Sequence, residues 1–176
     1  MKIGVVGTGY VGLVVASCLA DTGNDVICTD KEISKIEQLK DGIVPFYEPG
    51  LSEIVVNNMS AGRLEFTGEM KEVVDHSTII FLGVGTPSSP DGSADISAVL
   101  ETAGQIAELM DGYRIIVTKS TVPVGTCNIV TDLMASKTEH PFDYVSNPEF
   151  LKEGTAVEDF IKPERVIIGT LNPEAR

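Results

Sequence analysis

Positive charge is what the sequence has least of: 13 lysines and arginines stand against 26 aspartates and glutamates, a formal net charge of −13 over 176 residues. A surface of that sign repels nucleic-acid backbones and anionic membranes, so neither is expected as a general partner. An anionic ligand then needs a local site. Cysteine is scarce as well. Cys18, Cys28 and Cys127 form an odd count with no C-x-x-C spacing, which points away from a disulfide framework and from a metal site. Each reads as a small buried apolar residue. Cys127 follows Gly125-Thr126 at an expected helix start, where a thiolate would be favoured. His76 and His140 are the two histidines; both lie outside every motif below and read as surface residues. Long apolar runs are missing: stretches such as residues 79–84 are strand-sized, far short of the about 20 residues that cross a bilayer. Met1-Lys2-Ile3 opens directly into a strand pattern without a signal-peptide pattern, so a cytoplasmic protein is expected. There is no internal repeat, low-complexity segment or interdomain linker.

What remains is the balance of an ordinary globular domain, 43% hydrophobic and 22% charged. A chain of this size suits one domain that buries roughly two thirds of its unfolded surface. Apolar patterning predicts strands at residues 2–6, 25–30, 64–67, 78–82, 114–118, 142–145 and 165–169. Helices are predicted at 11–20, 34–40, 51–59, around 73–74, at 98–109 and at 126–135. Loops fill 41–50, 83–92 and 146–154. Strands alternating with helices predict an α/β protein: a Rossmann-type doubly wound, mainly parallel sheet with helices on both faces and ligands at the carboxyl ends of the strands.

Gly7-Thr8-Gly9-Tyr10-Val11-Gly12 is a G-x-G-x-x-G run between a strand and a helix. Gly7 permits the tight turn, Gly9 lets a pyrophosphate approach the backbone, and Gly12 lets helix and strand pack closely. The helix start adds free N–H groups and a positive dipole end. Asp30, at the end of the second strand, is placed to accept hydrogen bonds from an adenosine ribose and to repel a 2′-phosphate. NAD is therefore expected over NADP, although Lys31 and Lys35 are cations close by.

Together with four further motifs, the glycine run resembles the UDP-glucose/GDP-mannose dehydrogenase family along essentially the whole chain. They are Tyr47-Glu48-Pro49-Gly50-Leu51, Gly83-Val84-Gly85-Thr86-Pro87, the run from Lys119-Ser120-Thr121 to Thr126, and the run from Asn147-Pro148-Glu149 to Gly154. Such enzymes oxidise the 6-hydroxyl of a nucleotide sugar to a carboxylate with two NAD, through a cysteine-bound thiohemiacetal and thioester. The resemblance implies that Val11, Asp30, Lys35, Thr86, Ser120 and Thr121 contact NAD together with Gly7, Gly9, Tyr10 and Gly12, and that Glu153 lies by the nicotinamide. It also implies that Glu149, Phe150, Leu151, Lys152 and Glu153 hold the sugar nucleotide. Glu149 would serve as general base or water-orienting group, and the Thr121 hydroxyl would hold the catalytic water; a carboxylate and a hydroxyl at strand ends suit such proton transfer. Residues 47–51 read as a rigid turn into a helix.

The family's G-G-S-C-F-P-K-D cysteine motif does not occur in the sequence, and Cys18, Cys28 and Cys127 do not match it. Residues 1–176 are accordingly expected to form a single N-terminal NAD-binding domain, with the central helix and C-terminal substrate domain lying outside this chain. A homodimer is implied for the full-length enzyme. The motifs look closer to the branch that acts on UDP-glucose. GDP-mannose and UDP-N-acetylmannosamine dehydrogenases, or a non-catalytic NAD-binding sensor, are the alternative readings.

Overall fold

The computed structural model describes residues 1–175. Six short strands run parallel: β1 (Lys2–Val6), β2 (Asp25–Thr29), β3 (Leu64–Thr67), β4 (Ile79–Leu82), β5 (Arg114–Thr118) and β6 (Phe142–Ser146). They join a two-residue strand β7 (Gly169–Thr170), antiparallel to β6, in the order β3-β2-β1-β4-β5-β6-β7. The helices are α1 (Tyr10–Asp21), α2 (Ile33–Lys40), α3 (Leu51–Ser60), α4 (Met70–His76), α5 (Ser97–Leu109), α6 (Thr126–Ala135) and α7 (Ala156–Ile161).

A parallel strand is buried on both faces, so its apolar residues divide between two cores. In β1, Ile3 and Val5 pack with α1, α2 and α3, whereas Val6 faces the core built by α4, α5 and α6. In β2, Val26 and Cys28 join the first core and Ile27 the second. The doubly wound α/β architecture is thus as expected. Because β1 lies between β2 and β4, the connections leave its two edges in opposite directions, and the crevice at their carboxyl ends is the topological switch point of the sheet.

Two elements differ from expectation near the end of the chain. The strand expected at 165–169 is reduced to β7, and Val166, Ile167 and Ile168 are exposed. Their apolar run finds no core face here, and Pro163 ahead of them donates no ladder hydrogen bond. The segment after residue 154, left unassigned by periodicity, forms α7, which packs Ala156 into the α1 side of the core. Asp30 falls one residue beyond β2 rather than within it. His140 is exposed, but His76 is partly buried, its Nε2 3.4 Å from the Asp25 carboxylate. Cys18 and Cys28 are buried as expected; burial, helped by the charges of Asp21 and Glu48, pushes the Cys18 thiol up to about 12, and burial pushes Cys28 up as well. Among the described residues no helix is long and apolar enough to cross a membrane.

Candidate functional site

The site is built outward from the turn joining β1 to α1. Gly7 has φ +95°, which a side chain would strain, and its amide donates to the Thr29 carbonyl of β2 at 2.8 Å. A Cβ on Gly12 would lie 1.8 Å from the Gly7 carbonyl oxygen, so only glycine allows α1 to start this close to the turn. Gly9 differs: its φ of −69° suits any residue, and a Cβ there would meet no protein atom within 4 Å. Its backbone borders open space at the α1 N-terminus, a cradle that an anion fits and that a side chain would fill.

Asp30 stands beside this turn. Its Oδ2 accepts from the Thr8 amide at 2.7 Å and the Thr8 hydroxyl at 3.0 Å, and its Oδ1 accepts from the Glu32 amide at 3.0 Å. Lys35 Nζ lies 3.3 Å from Oδ2. Burial pushes the Asp30 carboxyl up, but the two amides, the Lys35 charge and the Thr8 hydroxyl outweigh it and hold the group below its ordinary value. Asp30 is therefore an ionised acceptor that also fastens the glycine turn. The role of Thr8 was not foreseen; only its place between two glycines hinted at it.

Thr86, Ser120 and Thr121 meet at the carboxyl ends of β4 and β5. The Thr86 hydroxyl donates to the Thr121 carbonyl at 2.8 Å, and the Ser120 hydroxyl to the Val84 carbonyl. These contacts tie the two loops to each other. Val11 is partly buried on the first turn of α1, and Thr121 is exposed.

A cavity of about 490 Å³ opens beyond β5 and β6 and is lined in part by Lys119, Asn147, Glu149, Phe150, Lys152 and Arg165. Four of the expected substrate residues, Glu149 to Lys152, line it; Glu153 and Thr121 do not. The Glu149 carboxylate accepts from the Leu151 amide, which pins its own loop. Lys119, 8% exposed, reaches Asn147 Oδ1 at 3.2 Å. Burial pushes its ammonium below the ordinary lysine value, and the neighbouring Glu149 charge opposes this. Arg165 lies over the Phe150 ring at 5.0 Å. The arrangement offers a carboxylate able to accept a proton and several cations able to meet an anionic group. The motif alone does not single out Lys119; its place directly after a strongly apolar strand is the signal in the sequence.

Glu48, within the turn expected at residues 47–51, is a further residue of the site that the sequence motif does not single out. Its Oε2 accepts from the Tyr10 hydroxyl and from the Gly154 amide at 2.8 Å, and its Oε1 from the Val157 amide at 3.4 Å. The turn itself is as expected, with Gly50 in the left-handed region capping α3. Burial pushes the Glu48 carboxyl up, yet these donors together hold it below its ordinary value. Tyr10 in turn is pushed up to about 12 by burial and by Glu48.

A glycine turn opening a helix at the switch point of a parallel sheet, with an ionised carboxylate past the neighbouring strand, defines a dinucleotide-binding domain. The chain belongs to the UDP-glucose/GDP-mannose dehydrogenase family, whose NAD binding domain matches residues 1–176. NAD is accordingly its cofactor, and the Gly9 cradle and Asp30 acceptor fit it. The chain is 48% identical over 176 residues to the UDP-glucose 6-dehydrogenase TuaD of Bacillus subtilis, covering 99% of this chain and 38% of that protein. A UDP-glucose dehydrogenase structure from the archaeon Pyrobaculum islandicum superposes with a TM-score of 0.95 at 40% identity, over 99% of this chain and 42% of that one. A GDP-mannose dehydrogenase from Pseudomonas aeruginosa superposes with a TM-score of 0.92 at 34% identity, again over 99% and 42%. The chain thus spans about two fifths of the length of these relatives.

Proposed function

We propose that this chain is the NAD-binding part of a UDP-glucose 6-dehydrogenase, which oxidises UDP-glucose to UDP-glucuronate. The observation that carries the reading is the cavity in which Glu149 and the buried Lys119 meet, beside the strands whose ends form the dinucleotide crevice. Similarity to UDP-glucose dehydrogenases at 40% to 48% identity supports the choice of sugar. Two hydrides leave C6, water supplies the second oxygen, and three protons are released. NAD, when bound, accepts the hydrides. Glu149 takes the proton of the C6 hydroxyl, and the buried Lys119 ammonium stands beside it as a fixed positive charge. Phe150, Leu151, Lys152 and Glu153 hold the nucleotide sugar, and Thr121 holds the water. The chain contains no match to the family's cysteine motif, so the covalent adduct is assigned to residues outside it. Three free cysteines suit the reducing cytoplasm; the homodimer rests on the family resemblance.

Steady-state kinetics on a full-length enzyme carrying this domain test the proposal. Two NADH per UDP-glucose are expected, and Glu149→Gln should lower kcat by about 10²–10⁴-fold while NAD binding persists. Turnover of GDP-mannose in place of UDP-glucose would overturn the substrate, and parental kcat in Glu149→Gln would overturn the base.

A further inference from the structure

Among the described residues Glu48 is the one carboxylate that is buried, 4% exposed. Burying a charge is costly unless donors surround it, and those around Glu48 come from remote parts of the chain. Tyr10 is the first residue of α1 and follows Gly9 of the dinucleotide turn. Gly154 ends the segment that begins at Glu149, and Val157 lies in α7. The Gly154 amide is shared, reaching Tyr10 Oη at 3.1 Å as well as Glu48 Oε2. The Lys152 carbonyl is a further acceptor 3.2 Å from the Tyr10 hydroxyl.

Three amides of the 149–154 segment are thus held by three carboxylates. Leu151 N–H donates to Glu149, Lys152 N–H to Asp159 at 3.0 Å, and Gly154 N–H to Glu48. The first two contacts are local in sequence. The third reaches a carboxylate remote in sequence, and the Tyr10 hydroxyl, which also contacts the Gly154 amide and the Lys152 carbonyl, joins it to the dinucleotide turn. Gly154 has φ +90°, so this end of the segment takes a conformation that side chains disfavour and that a fixed acceptor helps to specify. A glutamine at position 48 could accept one of these bonds, but its NH₂ would face other donors.

We propose that Glu48 is a positioning residue which, through Tyr10, couples the dinucleotide turn to the 149–154 segment, so that filling the NAD site fixes the loop that holds the nucleotide sugar. The inference rests on the reading of that loop given above. It goes beyond it in naming what links the two sites.

Amide exchange and NMR spectra of the ¹⁵N-labelled chain test the coupling with NAD alone. In the parent, saturating NAD should shift the Gly154 and Val157 signals and slow Gly154 exchange by about tenfold, within the usual range of coupling between sites. Tyr10→Phe keeps the ring that packs 5.2 Å from Phe46 and removes only the hydroxyl. Saturated with NAD at its own affinity, it should show less than about a twofold change, and Glu48→Gln a value between. A purely structural role would alter exchange equally with and without NAD. An NAD response at Gly154 as large in Tyr10→Phe as in the parent would overturn the coupling, as would parental NAD binding with no response at Gly154. Should Glu48→Gln fail to fold, Tyr10→Phe decides alone. Failure of the parent to bind NAD would overturn the coupling and the cofactor together, whereas a full-length enzyme inactive on UDP-glucose would overturn the proposed function and leave a measured coupling standing.

Discussion

Gly9 and Gly12 sit three residues apart in one turn, and different physics acts on each. At Gly12 a methyl group would enter the Gly7 carbonyl oxygen, so Gly12→Ala must push α1 off β1. Overpacking of this kind costs about 1–3 kcal/mol or more, and the melting temperature should drop by several degrees. At Gly9 the same methyl meets no protein atom, so Gly9→Ala should melt within about 2 °C of the parent. It should nevertheless bind NAD at least about tenfold more weakly, because the methyl stands where the pyrophosphate must approach. Thermal melts paired with calorimetry check both, and parental NAD affinity in Gly9→Ala would remove that residue from the phosphate site. The glycine spacing was legible because a turn is local. The Thr8–Asp30 bond was not, since it joins positions 22 apart and depends on how β1 and β2 are registered.

Strands were legible where a short apolar run packs on both faces of the sheet, as in β1, β2 and β4. Beyond β6 the signal fails for a physical reason: Val166, Ile167 and Ile168 look like a strand but stay exposed, and α7 is too short for its periodicity to register. Glu48 was hidden for a related reason, because its donors belong to α1, α7 and the loop between β6 and α7. The consequence at this scale concerns acid. A carboxyl whose folded-state value lies below its unfolded 4.5 binds protons more readily when unfolded, so it contributes stability above that value and loses it as pH falls through the folded value. Melting temperatures taken from about pH 6 down to about pH 3 should therefore fall more steeply for the parent than for Glu48→Gln. Parallel curves would mean that the Glu48 charge contributes nothing to holding α7 and the Gly154 loop.

For the whole molecule, a net charge of −13 and an anionic dinucleotide are reconciled by the local polarity of the α1 N-terminus. The chain on its own should bind NAD and yet not carry UDP-glucose through to two NADH per sugar, because the second oxidation proceeds from a covalent adduct that needs an activated nucleophile within reach. Burial pushes the Cys18 and Cys28 thiols away from the thiolate form. Absorbance of reduced cofactor, with binding measured separately, checks this; sustained production of two NADH per sugar by the chain would bring Cys127, which is only partly buried, into consideration. The strand order carries one more consequence, for synthesis. β1 leaves the ribosome ahead of the other six strands described, yet it lies third in the sheet order, flanked by β2 and β4. One of its edges therefore stays unpaired until Ile79–Leu82 has been made, well after β2 has closed the other. Nascent chains halted in that interval would present an open, apolar strand edge, the kind of surface that pairs with other chains.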